Sequence, residues 1–164
     1  VATSELDLNE TIREVLVLVG DQAKRNSVVI QTQFGGDVSP VAGDRVQLQQ
    51  VVLNLVMNAI EAMSNVSERT RELVLTTRNM GPDQVEVTVD DSGIGIDPAK
   101  IDRVFDSFYT TKSSGMGIGL SVSRSILDAH GGRLWAIAKD RGTSFHFTLP
   151  QHHEEGSNAG VGGR

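Results

Sequence analysis

Asn54 and Asn58 stand one helical turn apart inside the apolar run from Leu48 to Met63. A core helix has little reason to carry two uncharged amides on one face unless something polar docks against them. At 3.6 residues per turn, Gln47, Gln50, Asn54, Asn58 and Glu61 fall into a stripe about 80° wide, and Val52, Leu53, Leu55, Val56, Ala59, Ile60 and Met63 cover most of the remaining circumference. Amide and carboxylate oxygens at i and i+4 converge on one point. That suits a hard cation such as Mg²⁺, which keeps several waters and also binds substrate phosphates. A stripe capped by water or by a neighbouring loop fits the same pattern.

Two further clusters could do chemistry. The strand Gln84 to Val89 runs into Asp90-Asp91-Ser92-Gly93-Ile94-Gly95-Ile96-Asp97. A carboxylate at a strand end can accept hydrogen bonds from a ligand amino group, and glycines two and four residues later remove Cβ atoms that would block close approach. A surface turn is the alternative, and the calcium-loop pattern fails because its later oxygen ligands and closing Glu are missing. The run Ser113-Ser114-Gly115-Met116-Gly117-Ile118-Gly119 stands directly ahead of a helix. Backbone N–H groups reached through glycines at a helix start can cradle phosphate, although such a run can equally be a flexible loop. It matches neither a Walker A loop nor the dinucleotide-binding fingerprint.

The elements that must position these clusters follow from periodicity. Helical spacing runs from Leu6 to Arg25, with Asp7 or Asn9 placed to cap its start. Val28 to Gln33 alternates as a strand, Gly35-Gly36 and Pro40 mark turns, and the asparagine helix begins near Asp44. Strands Glu72 to Arg78 and Gln84 to Val89 form a hairpin, a helix runs from about Leu120 to His130 and stops at Gly131-Gly132, and strands Arg133 to Ala138 and Thr143 to Leu149 close the fold. Without regular strand–helix–strand units, the pattern predicts an α+β chain with helices on one face of a mostly antiparallel sheet. Residues 151–164 have almost nothing to bury and read as a disordered tail that includes His152 and His153.

Composition narrows the function classes. The 164 residues suit one domain, and the absence of cysteine excludes disulfides and thiolate metal sites. No apolar run approaches the roughly 20 residues that span a bilayer, and Val1 to Asp7 lacks an export pattern, so a cytoplasmic domain without membrane contact is expected. The net charge of −6 argues against nucleic-acid binding. Pro98 to Arg133 nevertheless holds five basic and three acidic residues, a local excess compatible with a phosphate-bearing ligand.

The motifs occur in a telling order: Asp44 and Leu48-Gln49-Gln50-Val51-Val52-Leu53-Asn54-Leu55-Val56-Met57-Asn58-Ala59, then Asp91-Ser92-Gly93-Ile94-Gly95, Phe105-Asp106-Ser107-Phe108-Tyr109-Thr110-Thr111-Lys112, Gly115-Met116-Gly117-Ile118-Gly119-Leu120 and Gly142-Thr143-Ser144-Phe145. This order resembles the N, G1, F, G2 and G3 boxes of the ATP-binding catalytic domain of bacterial sensor histidine kinases, over about Leu6 to Pro150. The run from Phe108 to His130 looks closest to the oxygen-sensing and nitrogen-regulation branch.

The resemblance implies the Bergerat fold, a two-layer α/β sandwich with a mixed, mostly antiparallel sheet and about three helices on one face. It divides the chain into a catalytic domain at 1–150, with 1–25 as the leading helix, and the tail. It implies ATP and Mg²⁺ as ligands. Asp91 would bind the adenine amino group directly and a ring nitrogen through water, with Gly93 and Gly95 beside the base and Thr143 completing the water network. Asn58 would ligate Mg²⁺ and Asn54 would lie against the phosphates. Lys112 would reach the terminal phosphates from a lid at roughly 96–116, while Gly117 and Gly119, within a loop that also includes Gly115 and Leu120, would turn amides toward them. A histidine-bearing dimerisation domain and a downstream response regulator are the implied partners, with a monomeric isolated domain and a homodimeric full-length kinase.

Two features depart from the family pattern. Glu61 stands where many such kinases carry a basic residue, which shifts phosphate neutralisation onto Lys112 and Mg²⁺. The family's acceptor histidine lies upstream of the asparagine helix, yet His130, His146, His152 and His153 all lie downstream, so an excised catalytic domain is expected. An ATP hydrolase of the same fold is the enzymatic alternative, but its relatives carry a glutamate as general base where Asn54 stands, and an amide cannot take that proton. A non-catalytic nucleotide-binding module is the other.

Overall fold

The computed structural model describes residues 4–106 and 117–152. The elements are β1 (Ser4–Leu6), α1 (Leu8–Arg25), β2 (Val28–Phe34), β3 (Val41–Gly43), α2 (Arg45–Ala62), β4 (Arg71–Met80), β5 (Gln84–Asp91), a 3₁₀ helix (Pro98–Phe105), α3 (Gly117–Ala129), β6 (Arg133–Ala138) and β7 (Thr143–Pro150). Five strands form one sheet in the order β2-β4-β5-β7-β6, and β1 pairs with β3 apart from it. Among the described residues only the β2–β4 pair is parallel, the intervening chain making a crossover that contains α2. The expected α+β sandwich is therefore present, with the three α-helices packed on one face of the sheet.

Alternation along the strands decides what the helices touch. Leu73 and Leu75 of β4, Val85, Val87 and Val89 of β5, and Phe145, Phe147 and Leu149 of β7 all point into the helical layer and are almost fully buried. α2 packs between α1 and α3, burying Leu48, Val51, Val52, Leu55, Val56, Ala59 and Ile60. Truncating a fully buried side chain such as Leu55 to alanine would cost about 2–5 kcal/mol. The Asp44 side chain accepts from the Gln47 N–H and starts α2 where the sequence places it. Asp7, not Asn9, caps α1. Asn9 instead donates to Gly35 O at 3.0 Å and accepts from Thr77 Oγ1 at 2.6 Å, tying α1 to the sheet.

Four features differ from the expectation. The helix does not reach Leu6, because Ser4–Leu6 pairs with Val41–Gly43, and neither three-residue strand is long enough to leave a period in the sequence. Pro98–Phe105 forms a 3₁₀ helix within the stretch between β5 and α3, where periodicity predicts no element, started by Pro98 and an Asp97 cap and anchored by buried Val104 and Phe105. α3 begins at Gly117 rather than Leu120. Gln151 and His152, expected as tail, are held by backbone hydrogen bonds to Asp83 O and Pro40 O, both 2.8 Å. The rest of the expected tail lies outside the described residues.

Candidate functional site

The alternation that buries Val85, Val87 and Val89 turns the next residue of that face, Asp91, into the helical layer, where it is 2% exposed. Its Oδ1 accepts from the Gly93 N–H at 2.8 Å and the Thr143 N–H at 3.2 Å. A carboxylate held by two backbone donors is a fixed acceptor. Two glycines make the approach possible. A Cβ on Gly142 would lie 2.0 Å from Asp91 O, at φ +98°, and one on Gly93 would lie 2.5 Å from Ala62 O. The first and last glycine motifs thus meet across Asp91, and the start of the first rests on the end of α2. Gly95, at φ +83°, packs beside Gly142.

α2 separates its two asparagines. Asn54 is 8% exposed, and its Nδ2 donates to Gly119 O and to Ser123 Oγ, both at 3.1 Å, while Gln50 Nε2 donates to its Oδ1 at 2.7 Å. It lies in the seam between α2 and α3 and holds the first turn of the glycine-led helix. Asn58, one turn on, is half-buried and makes no side-chain hydrogen bond among the described residues. The α2 C-terminus reaches the acidic loop directly, since the Ile94 N–H donates to Ala62 O at 3.2 Å. Asn58, Asp91 and Gly93 are therefore fixed relative to one another by α2, whereas Asn54 fixes α3.

α3 carries Gly117 and Gly119 at its start, and Leu120, the next residue, is 5% exposed. The N–H groups of the two glycines are among those that a helix leaves without intrahelical partners. Lys112 and Gly115 lie outside the described residues. Leading into that segment, Phe105 is 7% exposed, meets Phe145 edge-on at 6.1 Å and lies under the Arg124 guanidinium of α3 at 4.5 Å. Thr143, 2% exposed, contributes its N–H to Asp91.

Whether these residues suit Mg²⁺ and a nucleotide is a question of donor chemistry. Among the described residues, no group of three or more His, Cys, Asp or Glu could hold a metal. A cation here would rest on the Asn58 amide oxygen together with phosphate oxygens and water, the set that Mg²⁺ prefers. The buried, backbone-held Asp91 carboxylate fits an amino group. Two contributors carried no motif signal. Arg69 donates to Ser92 O and Gly93 O, and Ser123 receives Asn54. Both partners are set by packing over long separations. The neighbouring Glu68 carboxyl is held below the usual range first by backbone N–H groups of its own residue and Ser67, with smaller help from Arg69 and Arg141.

Comparisons with known proteins identify the family. The family described as histidine kinase-, DNA gyrase B-, and HSP90-like ATPase matches residues 43–153. The sensor protein FixL of Bradyrhizobium diazoefficiens is 44% identical over 148 residues, 90% of this chain and 29% of that protein. Sporulation kinase E of Bacillus subtilis is 34% identical over 157 residues, 94% of this chain and 21% of that protein. The chain thus spans less than a third of either relative. The catalytic domain of histidine kinase ThkA superposes with a TM-score of 0.81 at 34% identity, covering 92% of this chain and 99% of that one. ThkA in complex with the response regulator protein TrrA gives a TM-score of 0.78 at 32% identity, over 92% of this chain and 42% of that one. A buried acid at the end of β5, glycine contacts that admit no Cβ on either side of it, and an asparagine helix tied to a glycine-led helix are thus features of a chain that belongs to the histidine kinase-, DNA gyrase B-, and HSP90-like ATPase family, on its sensor histidine kinase side.

Proposed function

We propose that this chain is the catalytic domain of a two-component sensor kinase that binds Mg-ATP and transfers the γ-phosphoryl group to a histidine of a separate dimerisation domain. The observation that carries the reading is the Asp91 carboxylate, fixed by the Gly93 and Thr143 N–H groups at the end of the α2 that presents Asn58. Asp91 takes the adenine amino group, with Gly93, Gly95 and Thr143 beside the base. Asn58 ligates Mg²⁺, which would neutralise phosphate charge when bound. The amides of Gly117 and Gly119 receive phosphate oxygens, alongside Gly115 and Leu120 of the same motif, and Lys112 adds charge to the terminal phosphate. Asn54 acts by holding α3 in place.

Transfer to a histidine is favoured over hydrolysis by the state of Asn54. Its amide already donates to Gly119 O and Ser123 Oγ, and an amide cannot remove a proton from water at neutral pH. Phosphoryl transfer asks the protein mainly for positioning and charge stabilisation, and the acceptor supplies the nucleophile. A response regulator is the proposed downstream partner, supported by the ThkA–TrrA complex. We place the domain in the cytoplasm, monomeric in isolation and part of a homodimer in the full-length kinase. No helix among the described residues is long and apolar enough to cross a membrane. The test is incubation with labelled ATP and a histidine-bearing dimerisation domain. Acid-labile label on that domain is the expected result, and rapid phosphate release without it would favour a hydrolase.

A further inference from the structure

We propose that Arg69 sets the shape of the base-binding loop, and through it nucleotide affinity and purine selectivity, without touching the nucleotide. Its Nε donates to Ser92 O at 3.2 Å and its Nη2 to Gly93 O at 2.7 Å. These carbonyls belong to the two peptide planes on either side of Gly93. The N–H of the first plane, Gly93 N–H, donates to Asp91 Oδ1 at 2.8 Å. The N–H of the second, Ile94 N–H, donates to Ala62 O at 3.2 Å. Each plane is therefore held at both ends, with one planar guanidinium serving both carbonyls.

Three physical consequences follow. A cationic donor on Ser92 O polarises that peptide and strengthens its N–H as a donor to Asp91. The fork fixes the rotation of both planes, which sets where the carboxylate points. It also keeps Gly93 against Ala62, where no Cβ fits. The guanidinium is itself oriented by Glu68, 3.0 Å from Nη1, although that pair is exposed on the Glu68 side and adds orientation more than energy. Ser92 Oγ steadies the same loop by donating to Thr70 O and accepting from the Glu72 N–H, both 3.0 Å. Arg69 is thus a positioning residue, reaching the site from the connection between α2 and β4.

The inference rests on the reading of Asp91 as the base acceptor. Arg69→Met keeps the apolar stem and removes the fork, while Arg69→Lys keeps the charge but cannot span both carbonyls. If the loop without the fork adopts the competent arrangement about a tenth of the time, affinity falls about tenfold. Calorimetric titration of Arg69→Met should show that loss equally for ATP and ADP, because the loop meets the base and not the γ-phosphate. The ATP-over-GTP preference should narrow, Mg²⁺ dependence should stay unchanged, and Arg69→Lys should fall in between. Unchanged affinity in Arg69→Met, or a loss confined to ATP, overturns the inference. Should Arg69→Met be unfolded at the assay temperature, wild-type affinity and selectivity in Arg69→Lys would overturn it. Asp91→Ala, titrated alongside, separates the two ideas. If Asp91→Ala binds ATP normally, the base-site reading itself fails; if it binds poorly while Arg69→Met binds normally, only the role of Arg69 does.

Discussion

Truncating the two asparagines of α2 one at a time should give opposite results. Asn54→Ala removes an amide that donates to Gly119 O and Ser123 Oγ, and Ser123 has no exposed surface on which water could replace the bond. Two neutral hydrogen bonds at about 0.5–1.5 kcal/mol each come to about 1–3 kcal/mol, with the orphaned Ser123 hydroxyl pushing toward the upper end. At about 2–4 °C per kcal/mol for a domain of this size, the unfolding midpoint should fall by about 2–12 °C. Asn58→Ala removes a half-buried amide with no side-chain hydrogen bond among the described residues, so its stability should stay within about 0.5 kcal/mol of the parent. Scanning calorimetry without nucleotide reads this difference. Titration with ATP, with and without Mg²⁺, reads the other half: Asn58→Ala should lose Mg²⁺-dependent binding, and Asn54→Ala should keep it at reduced affinity. Equal midpoints for the two variants, or a larger drop for Asn58→Ala, would refute the division of roles.

Other outcomes are equally specific. Asp91→Ala should weaken ATP binding by about 10- to 150-fold, from the loss of about 1.5–3 kcal/mol of hydrogen bonding to a charged acceptor, with selectivity against GTP lost as well; unchanged calorimetric affinity removes Asp91 from the base site. Gly142→Ala places a Cβ 2.0 Å from Asp91 O at φ +98°, so it should both destabilise the domain and abolish binding, and a variant that titrates like the parent would contradict the packing. His130 accepts from the Asp44 N–H at 3.1 Å through Nε2 while Nδ1 meets Ile126 O at 2.8 Å, so His130→Phe should cost about 1–3 kcal/mol in denaturant unfolding, and no shift in midpoint would show the link to be idle. The isolated chain should bind ATP without phosphorylating itself, and transfer in trans should be slow because a tether's effective concentration, on the order of millimolar, is missing. Label retained on the chain alone would count against an external acceptor.

Much of the site was legible because its signals are local. Asp44 caps α2 through a contact three residues away. The glycines around Asp91 are needed for close approach or, at Gly95 and Gly142, for positive φ. Helix and strand periods mark α1, α2, β4, β5 and β7. The elements that escaped notice, Ser4–Leu6, Val41–Gly43 and Pro98–Phe105, are too short or too irregular to repeat a period.

The sequence by itself determined which residue types stand at the strand end, along the helix stripe and at the helix start, and the order of those motifs carries the family resemblance that implies a nucleotide. Tertiary structure decided how those residues divide the work. Asn54 and Asn58 share one stripe in sequence, but only the approach of α3, 65 residues away at Gly119 and 69 at Ser123, makes Asn54 a tether and leaves Asn58 without such a partner among the described residues. Arg69 reads as an ordinary charge in a loop until the β4–β5 pairing brings Ser92 and Gly93 within reach of its fork. The physical reason is that a hydrogen-bond partner across the fold depends on sheet register and helix packing, which local periodicity does not encode.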